Sequence, residues 1–197
     1  SAVNDIDYSF KIPIGDEGDS LLIQNYIYDD PEILDNEKDK IDRTADMIYL
    51  FNELIGEYPF KEEKYGHCMA AIGGGMEHQT MTTIQNFNFY LVAHELAHQW
   101  FGDNVTCGTW QDIWINEGFA SYLEYVAIGK LDSDQNAREW MADAHNRARE
   151  KYDAGIFLTE AEAKVGNRIF DYGLSYKKGA SILHMLRYEV GNDDIFF

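Results

Sequence analysis

Apolar and polar positions alternate twice near the start of the chain, at Tyr8–Ile14 and Leu21–Tyr28, with the turn-rich run Gly15-Asp16-Glu17-Gly18-Asp19 between them. A period of two turns one face of an extended segment towards a core, so two strands are predicted. From Pro31 to Gly56 the period lengthens. Ile41, Ala45, Tyr49 and Leu50 recur at helical spacing, Pro31 suits a first helical position, and Asp29 or Asp30 can cap it. The acidic run Asp29–Asp39 favours a helix start electrostatically and reads as a solvated opening turn rather than a docking face. Tyr65–Ile72 reads as a short strand running into Gly73-Gly74-Gly75, and Met81–Asn86 as another.

Helical patterns follow. Asn88–Phe101 is one, ended by Gly102-Asp103-Asn104; after a loop to Asp112 a second is predicted over Asn116–Ile128. Asp132–Asp153 is a third, with Ser133 or Asp134 as its cap. In Tyr176–Val190 the residues Gly179, Ile182, Leu183, Leu186 and Val190 form one stripe, and Gly191 stops the helix. Strands early and helices late predict an α+β chain in two lobes, residues 1–103 and 104–197, although no shift of composition marks a boundary.

Composition narrows the classes. The chain has 197 residues, the size of one domain or one large fragment, and its 45% hydrophobic content excludes wholesale disorder. A formal charge of −19 argues against a surface for nucleic acid or anionic lipid, since both need clustered cations. No apolar run is long enough to span a membrane. Cys68 and Cys107 form no CxxC pair, and two free thiols are the simpler reading than one disulfide. The opening residues SAVNDIDYSF have neither the basic start nor the apolar run of a signal peptide. The final Asp193-Asp194-Ile195-Phe196-Phe197, with two aromatics and no closing turn, reads as the edge of a piece of a longer protein.

The decisive segment is His94-Glu95-Leu96-Ala97-His98. On an α-helix, residues four apart point the same way one turn apart, so both imidazoles can reach one ion, while the Glu95 carboxylate borders it without ligating. A metallohydrolase needs this arrangement: two nitrogen ligands and a base beside an activated water. Chance would place such a pattern in roughly one in seventy shuffled chains of this composition, so its surroundings matter. They are apolar: Tyr90, Leu91, Val92, Leu96, Trp100 and Phe101. Buried histidines need partners, and a metal is one.

A third protein ligand is required if the fourth position is to stay open. Glu117, nineteen positions beyond His98, is the candidate, on a second helix that the loop returns towards the first. Glu117, Ser121, Glu124 and Ile128 share one face of that helix; Phe119, Tyr122, Leu123 and Val126 share the other. Glu124 is expected either to hold a ligand imidazole by a hydrogen bond or to face solvent.

This pattern resembles the gluzincin metallopeptidases, and its surroundings resemble the zinc aminopeptidase family of aminopeptidase N and leukotriene hydrolase. Gly74-Gly75-Met76-Glu77 is similar to that family's GxMEN exopeptidase motif. His94 to Asp103 with Trp110 to Leu123 is similar to its zinc-binding core, and Ser175-Tyr176-Lys177-Lys178-Gly179-Ala180 to the segment bearing its catalytic tyrosine. The resemblance implies a thermolysin-like catalytic domain, a small mixed sheet lobe followed by a helical lobe, with one Zn2+ per chain between them. It implies His94, His98 and Glu117 as ligands, Glu95 as the base, and Tyr176 as the donor to the developing oxyanion, with Tyr172 the nearby competitor. Asn116 and Glu124 are expected in supporting roles.

Glu77 separates exopeptidase from endopeptidase. A fixed carboxylate reads a free α-ammonium through a charge-assisted bond, and Gly74, Gly75 and Met76 let an extended peptide approach the backbone closely. The family's Asn after that Glu is His78 here. His78 is not expected to ligate metal, because the three-ligand set is complete. His67, His145 and His184 are expected in surface or supporting positions, with His184 on the polar side of the last helix.

The implied function is hydrolysis of the N-terminal peptide bond of a peptide with a free amine. Family members usually carry an N-terminal β domain and a C-terminal helical domain, and neither lies in these residues. The family occurs inside and outside cells, and secretion or periplasm is favoured. Two other functions are compatible with the motifs: a leukotriene-type epoxide hydrolase, which needs a deep lipid tunnel, and a non-catalytic peptide-binding domain of the same fold. Glu95 argues against the second, because a closed structural zinc site has no use for an adjacent base.

Overall fold

The computed structural model describes residues 5–15 and 18–197. The chain divides into two compact units, Ser1–Gln99 and Trp100–Phe197.

The first unit is built on a mixed five-stranded sheet of order β1-β2-β3-β5-β4. β1 (Asp5–Pro13) and β2 (Ser20–Tyr28) are the two alternating segments, paired antiparallel with Phe10 opposite Ile23. The connecting turn falls partly outside the described residues, at Asp16 and Glu17. Leu21, Ile23 and Ile27 supply the buried face of β2, and the polar Asn25 shares it. β3 (Tyr65–Met69) runs parallel to β2, and β5 (Thr82–Ile84) parallel to β3. β4 (Gly75–Met76), within the glycine run, pairs antiparallel with β5 and forms the edge of the sheet.

The helical stretch after β2 is two helices, α1 (Pro31–Asp42) and α2 (Thr44–Ile55), with Arg43 between them. Asp30 is the cap; its carboxylate accepts the Glu32 N–H at 3.0 Å. Ile41, Thr44, Met47, Ile48 and Phe51 are buried. Tyr49 was expected among them but is exposed, because at 100° per residue it lies on the far side from that stripe. α3 (Phe89–Ala97) starts where Asn88 Oδ1 accepts the N–H groups of Tyr90 and Leu91 at 3.0 and 3.4 Å. It ends four residues sooner than the pattern predicts.

The second unit is helical. Near its start, Gly102, at φ 148, redirects the backbone, and Phe101 forms a bridge with Val105. A short 3-10 turn (Trp110–Asp112) leads into α4 (Trp114–Leu131), which packs against α5 (Asp134–Glu150), α7 (Gly179–Val190) and a π-helix (Tyr172–Lys178). With neighbours on three sides, α4 is buried nearly all round, so both of its expected faces, Glu117 with Ser121 and Tyr122 with Leu123, are covered. Ser133 caps α5 by accepting the Asn136 N–H at 3.1 Å. Another 3-10 turn (Glu162–Lys164) and α6 (Gly166–Ile169) precede the π-helix, and α8 (Asp193–Phe196) follows α7.

Two expectations for the last helix are corrected. The helical stretch begins four residues sooner than expected, as a π-helix at Tyr172, so Tyr176 sits inside a widened turn and not at the helix start. Its buried residues, Gly179, Ala180, Ser181 and Leu183, cluster at its N-terminal end, where the small Gly179 brings α7 close to α4, whereas Ile182, Leu186 and Val190 are exposed. The whole is a mixed sheet followed by a helical region, an α+β chain. Among the described residues no helix is long and apolar enough to cross a membrane.

Candidate active site

On α3 and its final turn, His94 and His98 bring their Nε2 atoms to 3.2 Å, with the rings at 83° to one another. Two nitrogens bound tetrahedrally to one zinc at 2.0–2.1 Å stand about 3.3 Å apart, so this pair has the spacing that a shared ion requires. His98 is 1% exposed and Glu95 5%. The Glu95 side chain lies against the edge strand: a Cβ added at Gly75 would meet Glu95 Cδ at 2.6 Å. Gly74 is needed for a different reason, its φ of 87, at which a side chain would be strained. Gly75 therefore makes room for a carboxylate, while Gly74 makes the turn.

Glu77, half-buried, follows β4 directly. The loop after it is fastened by four hydrogen bonds. His78 donates its N–H to Met76 O at 2.9 Å and sets its Nδ1 2.9 Å from Thr83 Oγ1. Thr80 holds a φ of 61, and its N–H is taken by Gln99 Oε1 at 2.8 Å while Lys64 Nζ donates to its carbonyl at 3.0 Å. Burial lowers the pKa of that lysine. Gln99 is fully buried, with the Tyr58 hydroxyl 3.3 Å from the same amide oxygen. The sequence reading missed Gln99; the available signal was a polar residue directly after His98 in an apolar stretch.

Glu117 lies in the first turn of α4 and is 4% exposed. Its neighbour Asn116 accepts the Cys107 N–H at 2.9 Å and places Nδ2 3.4 Å from Thr106 Oγ1, tying the incoming loop to the helix. Glu124 accepts the Trp140 indole N–H at 2.6 Å, a partner that the spacing did not suggest. Tyr176 is half-buried, with its ring centroid 5.6 Å from that of Tyr172. The π-helix around it is held from outside. Asp171 caps it at Leu174 and pairs with Lys151, Ser175 donates to Ile169 O at 2.7 Å, and Lys178 donates to Lys151 O and Ala154 O.

Two of the remaining histidines, His67 and His184, differ from expectation. His67 is fully buried, its Nδ1 2.7 Å from Asn25 Oδ1, and burial pulls its pKa down to about 3. His184 packs against Tyr122 and Tyr125 instead of lying on a polar face, and burial lowers its pKa too, with His145 and Arg187 adding repulsion. Cys68 and Cys107 are free thiols. Among groups able to hold a metal, one ligand atom from each of His94, His98 and Glu117 lies within 4.8 Å of the others.

Comparison with known proteins yields one family. The profile described as "Peptidase family M1 domain" matches residues 40–197. Glutamyl aminopeptidase of Bos taurus is 42% identical over 101 residues, 49% of this chain and 10% of that protein. Aminopeptidase N of Lactococcus lactis subsp. cremoris is 37% identical over 119 residues, 57% of this chain and 14% of that one. The chain thus spans only about a tenth of the curated relatives it matches. Among solved structures, an M1 zinc metallopeptidase mutant from Deinococcus radiodurans bound to a Tyr-Ser-Ala substrate superposes with a TM-score of 0.72 at 26% identity, covering 96% of this chain and 42% of that one. Yeast LTA4 hydrolase in complex with bestatin shares the fold, with a TM-score of 0.72 at 22% identity over 94% of this chain and 31% of its own.

Proposed function

Because the chain belongs to peptidase family M1, we propose that it is the catalytic part of a zinc aminopeptidase that removes the N-terminal residue of peptides. The observation that carries this reading is the pair of imidazole nitrogens 3.2 Å apart on α3 and the turn that ends it, with the Glu95 carboxylate between them in sequence and seated against the glycine edge strand. His94, His98 and Glu117 would hold the ion. When bound, zinc supplies Lewis acidity towards a carbonyl oxygen and makes water acidic enough to attack near neutral pH.

The chain's own residues do the rest. Glu95 takes the proton of the attacking water and passes it to the leaving amine. Tyr176 donates its O–H to the carbonyl oxygen as charge builds there; losing one such donor typically costs about 10²–10³ in kcat. Glu77 accepts hydrogen bonds from the substrate α-ammonium and so fixes the cut at the first peptide bond. The free edge of β4 at Gly75–Met76 suits pairing with an extended peptide, as strand addition does elsewhere.

The test is cleavage of a free-amine peptide beside its N-acetylated twin by the whole protein, with and without chelator. The free-amine peptide should be cut, the acetylated one spared, and chelator should abolish turnover until zinc is restored. Equal cleavage of both peptides sinks the amine anchor, and no cleavage by zinc-loaded protein sinks the enzyme reading.

A further inference from the structure

Lys177 is 3% exposed, an unusual place for an ammonium group, which normally reaches water at the end of its stem. Its Nζ stands 3.3 Å from the centroid of the Trp140 ring, a cation–π contact, and 3.8 Å from Asp143 Oδ2. The indole beneath it donates its N–H to Glu124 at 2.6 Å. Arg147 donates through Nε to both Asp143 oxygens. Lys177 and Arg147 both lie over the Tyr172 ring, at 5.3 and 5.2 Å from its centroid, and Tyr172 packs on Tyr176.

Stability does not explain a charge here. Exchanging a buried ion for an apolar side chain of similar volume is often neutral or favourable, and the same helix turn could pack a methionine. What the charge adds is direction, because it binds the π-helix to α5 through Trp140 and Asp143 and, by way of the Trp140–Glu124 hydrogen bond, to α4. Widened helical turns of this kind occur often at functional sites. We propose that Lys177 is a positioning residue: its ammonium locks the π-helix onto α4 and α5 and thereby sets the direction of the Tyr176 hydroxyl. This rests on the reading of Tyr176 as the donor to the developing oxyanion.

The charge is conditional on pH. Burial lowers the pKa of Lys177 to about 8, against the raising influence of Glu124 and Asp143 and with Arg147 adding repulsion. The lock is therefore charged at neutral pH and lost just above. The linkage has the opposite sign for stability. Between about 8 and the ordinary lysine value near 10.4 the unfolded chain binds more protons than the folded one, so this group's contribution to stability rises with pH while the lock fails. Turnover limited by Lys177 should fall in a range where its effect on folding improves.

The experiment measures kcat and KM from pH 6 to 10 on an aminoacyl amide for the whole protein, Lys177→Met and Lys177→Arg, with zinc content and thermal midpoint. Lys177→Met should lower kcat about tenfold at neutral pH, leave KM within twofold, remove the decline near pH 8, and keep zinc and thermal midpoint. Lys177→Arg should retain kcat within a few-fold and move the decline to higher pH. A Lys177→Met protein with the parent's kcat and alkaline decline overturns the proposal. So does a loss of kcat accompanied by lost zinc or a lowered midpoint, which would mean a merely structural role. A titration of Trp140 emission, taken as the difference from Trp140→Phe, needs no turnover. A midpoint near pH 8 in the parent, absent in Lys177→Met, supports the lock, and its absence from the parent overturns it. Failure of the parent to hydrolyse at all would instead count against the aminopeptidase reading.

Discussion

Gly118 and Gly179 touch backbone to backbone: a Cβ added to Gly179 would stand 2.9 Å from Gly118 Cα, and one added to Gly118 would stand 3.1 Å from Gly179 Cα. This is the point at which α4 and α7 meet, one residue after Glu117 and three after Tyr176. Neither glycine has a positive φ, so space alone requires them.

Gly179→Ala tests that relationship. Alanine is the better helix former by about 1 kcal/mol, yet overpacking against a facing backbone costs about 1–3 kcal/mol. The variant should unfold at lower denaturant than the parent, and its kcat should fall, because the helix bearing Glu117 and the segment bearing Tyr176 are pushed apart. Equilibrium unfolding decides it: a stability equal to or above the parent's would show that the contact yields without cost.

Much of this was legible in the sequence, and the exceptions share a cause. The hairpin of β1 and β2 was readable because one face of each strand is covered, which leaves a period of two. The helix that carries HExxH was readable because the motif is local: both imidazoles and the Glu95 carboxylate lie within five residues. What escaped was set by partners distant in sequence. Tyr49 and Leu186 are apolar at helical spacing but exposed, because burial falls elsewhere on their helices, on Met47, Ile48 and Phe51 and on Gly179, Ala180 and Leu183. Gln99 looked like a bystander because its use depends on Thr80, nineteen positions earlier. Glu124 was expected to hold a ligand imidazole or to face solvent, and nothing along its own helix signalled the Trp140 indole that reaches it from the next.

The glycines before Met76 should fail in two distinguishable ways. Gly75→Ala forces Glu95 aside, and a displacement of about 1 Å in a catalytic base can cost about 10²-fold in rate. Its thermal midpoint and zinc content should stay near the parent's. Gly74→Ala meets no neighbour within 4 Å but must hold a φ of 87, at a cost of about 1–2 kcal/mol, so its loss should appear in stability first. Single-turnover rates and melting curves on both variants check this; an active Gly75→Ala protein would contradict the seat assigned to Glu95.

Gln99→Ala removes the acceptor of the Thr80 N–H in a buried setting, which costs about 1–3 kcal/mol. The loop that follows Glu77 then loses its anchor. KM for free-amine peptides should rise several-fold more than kcat falls, with zinc content unchanged. Kinetics on one aminoacyl amide, with metal analysis of the same samples, are sufficient, and an unaltered KM would detach Gln99 from amine recognition.

The last prediction concerns acid. Asn25 Nδ2 donates to Tyr8 O at 2.9 Å, which turns Oδ1 towards His67 and requires Nδ1 of the imidazole to be the donor. Nε2 is buried without a hydrogen-bond partner, between the edge-on rings of Tyr65 and Phe87, so a second proton would have nothing to bond to. With a folded pKa of about 3 against about 6.5 in the unfolded chain, the unfolded state binds the extra proton throughout that interval, and stability is lost as pH falls from 6.5 towards 3. By pH 4 this one group should account for a loss on the order of 3 kcal/mol. In His67→Gln that acid-dependent share should vanish. The variant should be less stable than the parent at pH 7 through imperfect packing, by about 1–2 kcal/mol, and should close the gap or overtake the parent near pH 4. Urea unfolding of metal-free protein at the two pH values isolates the effect from zinc loss, and parallel stability curves would mean that the imidazole takes up its proton without opening the core.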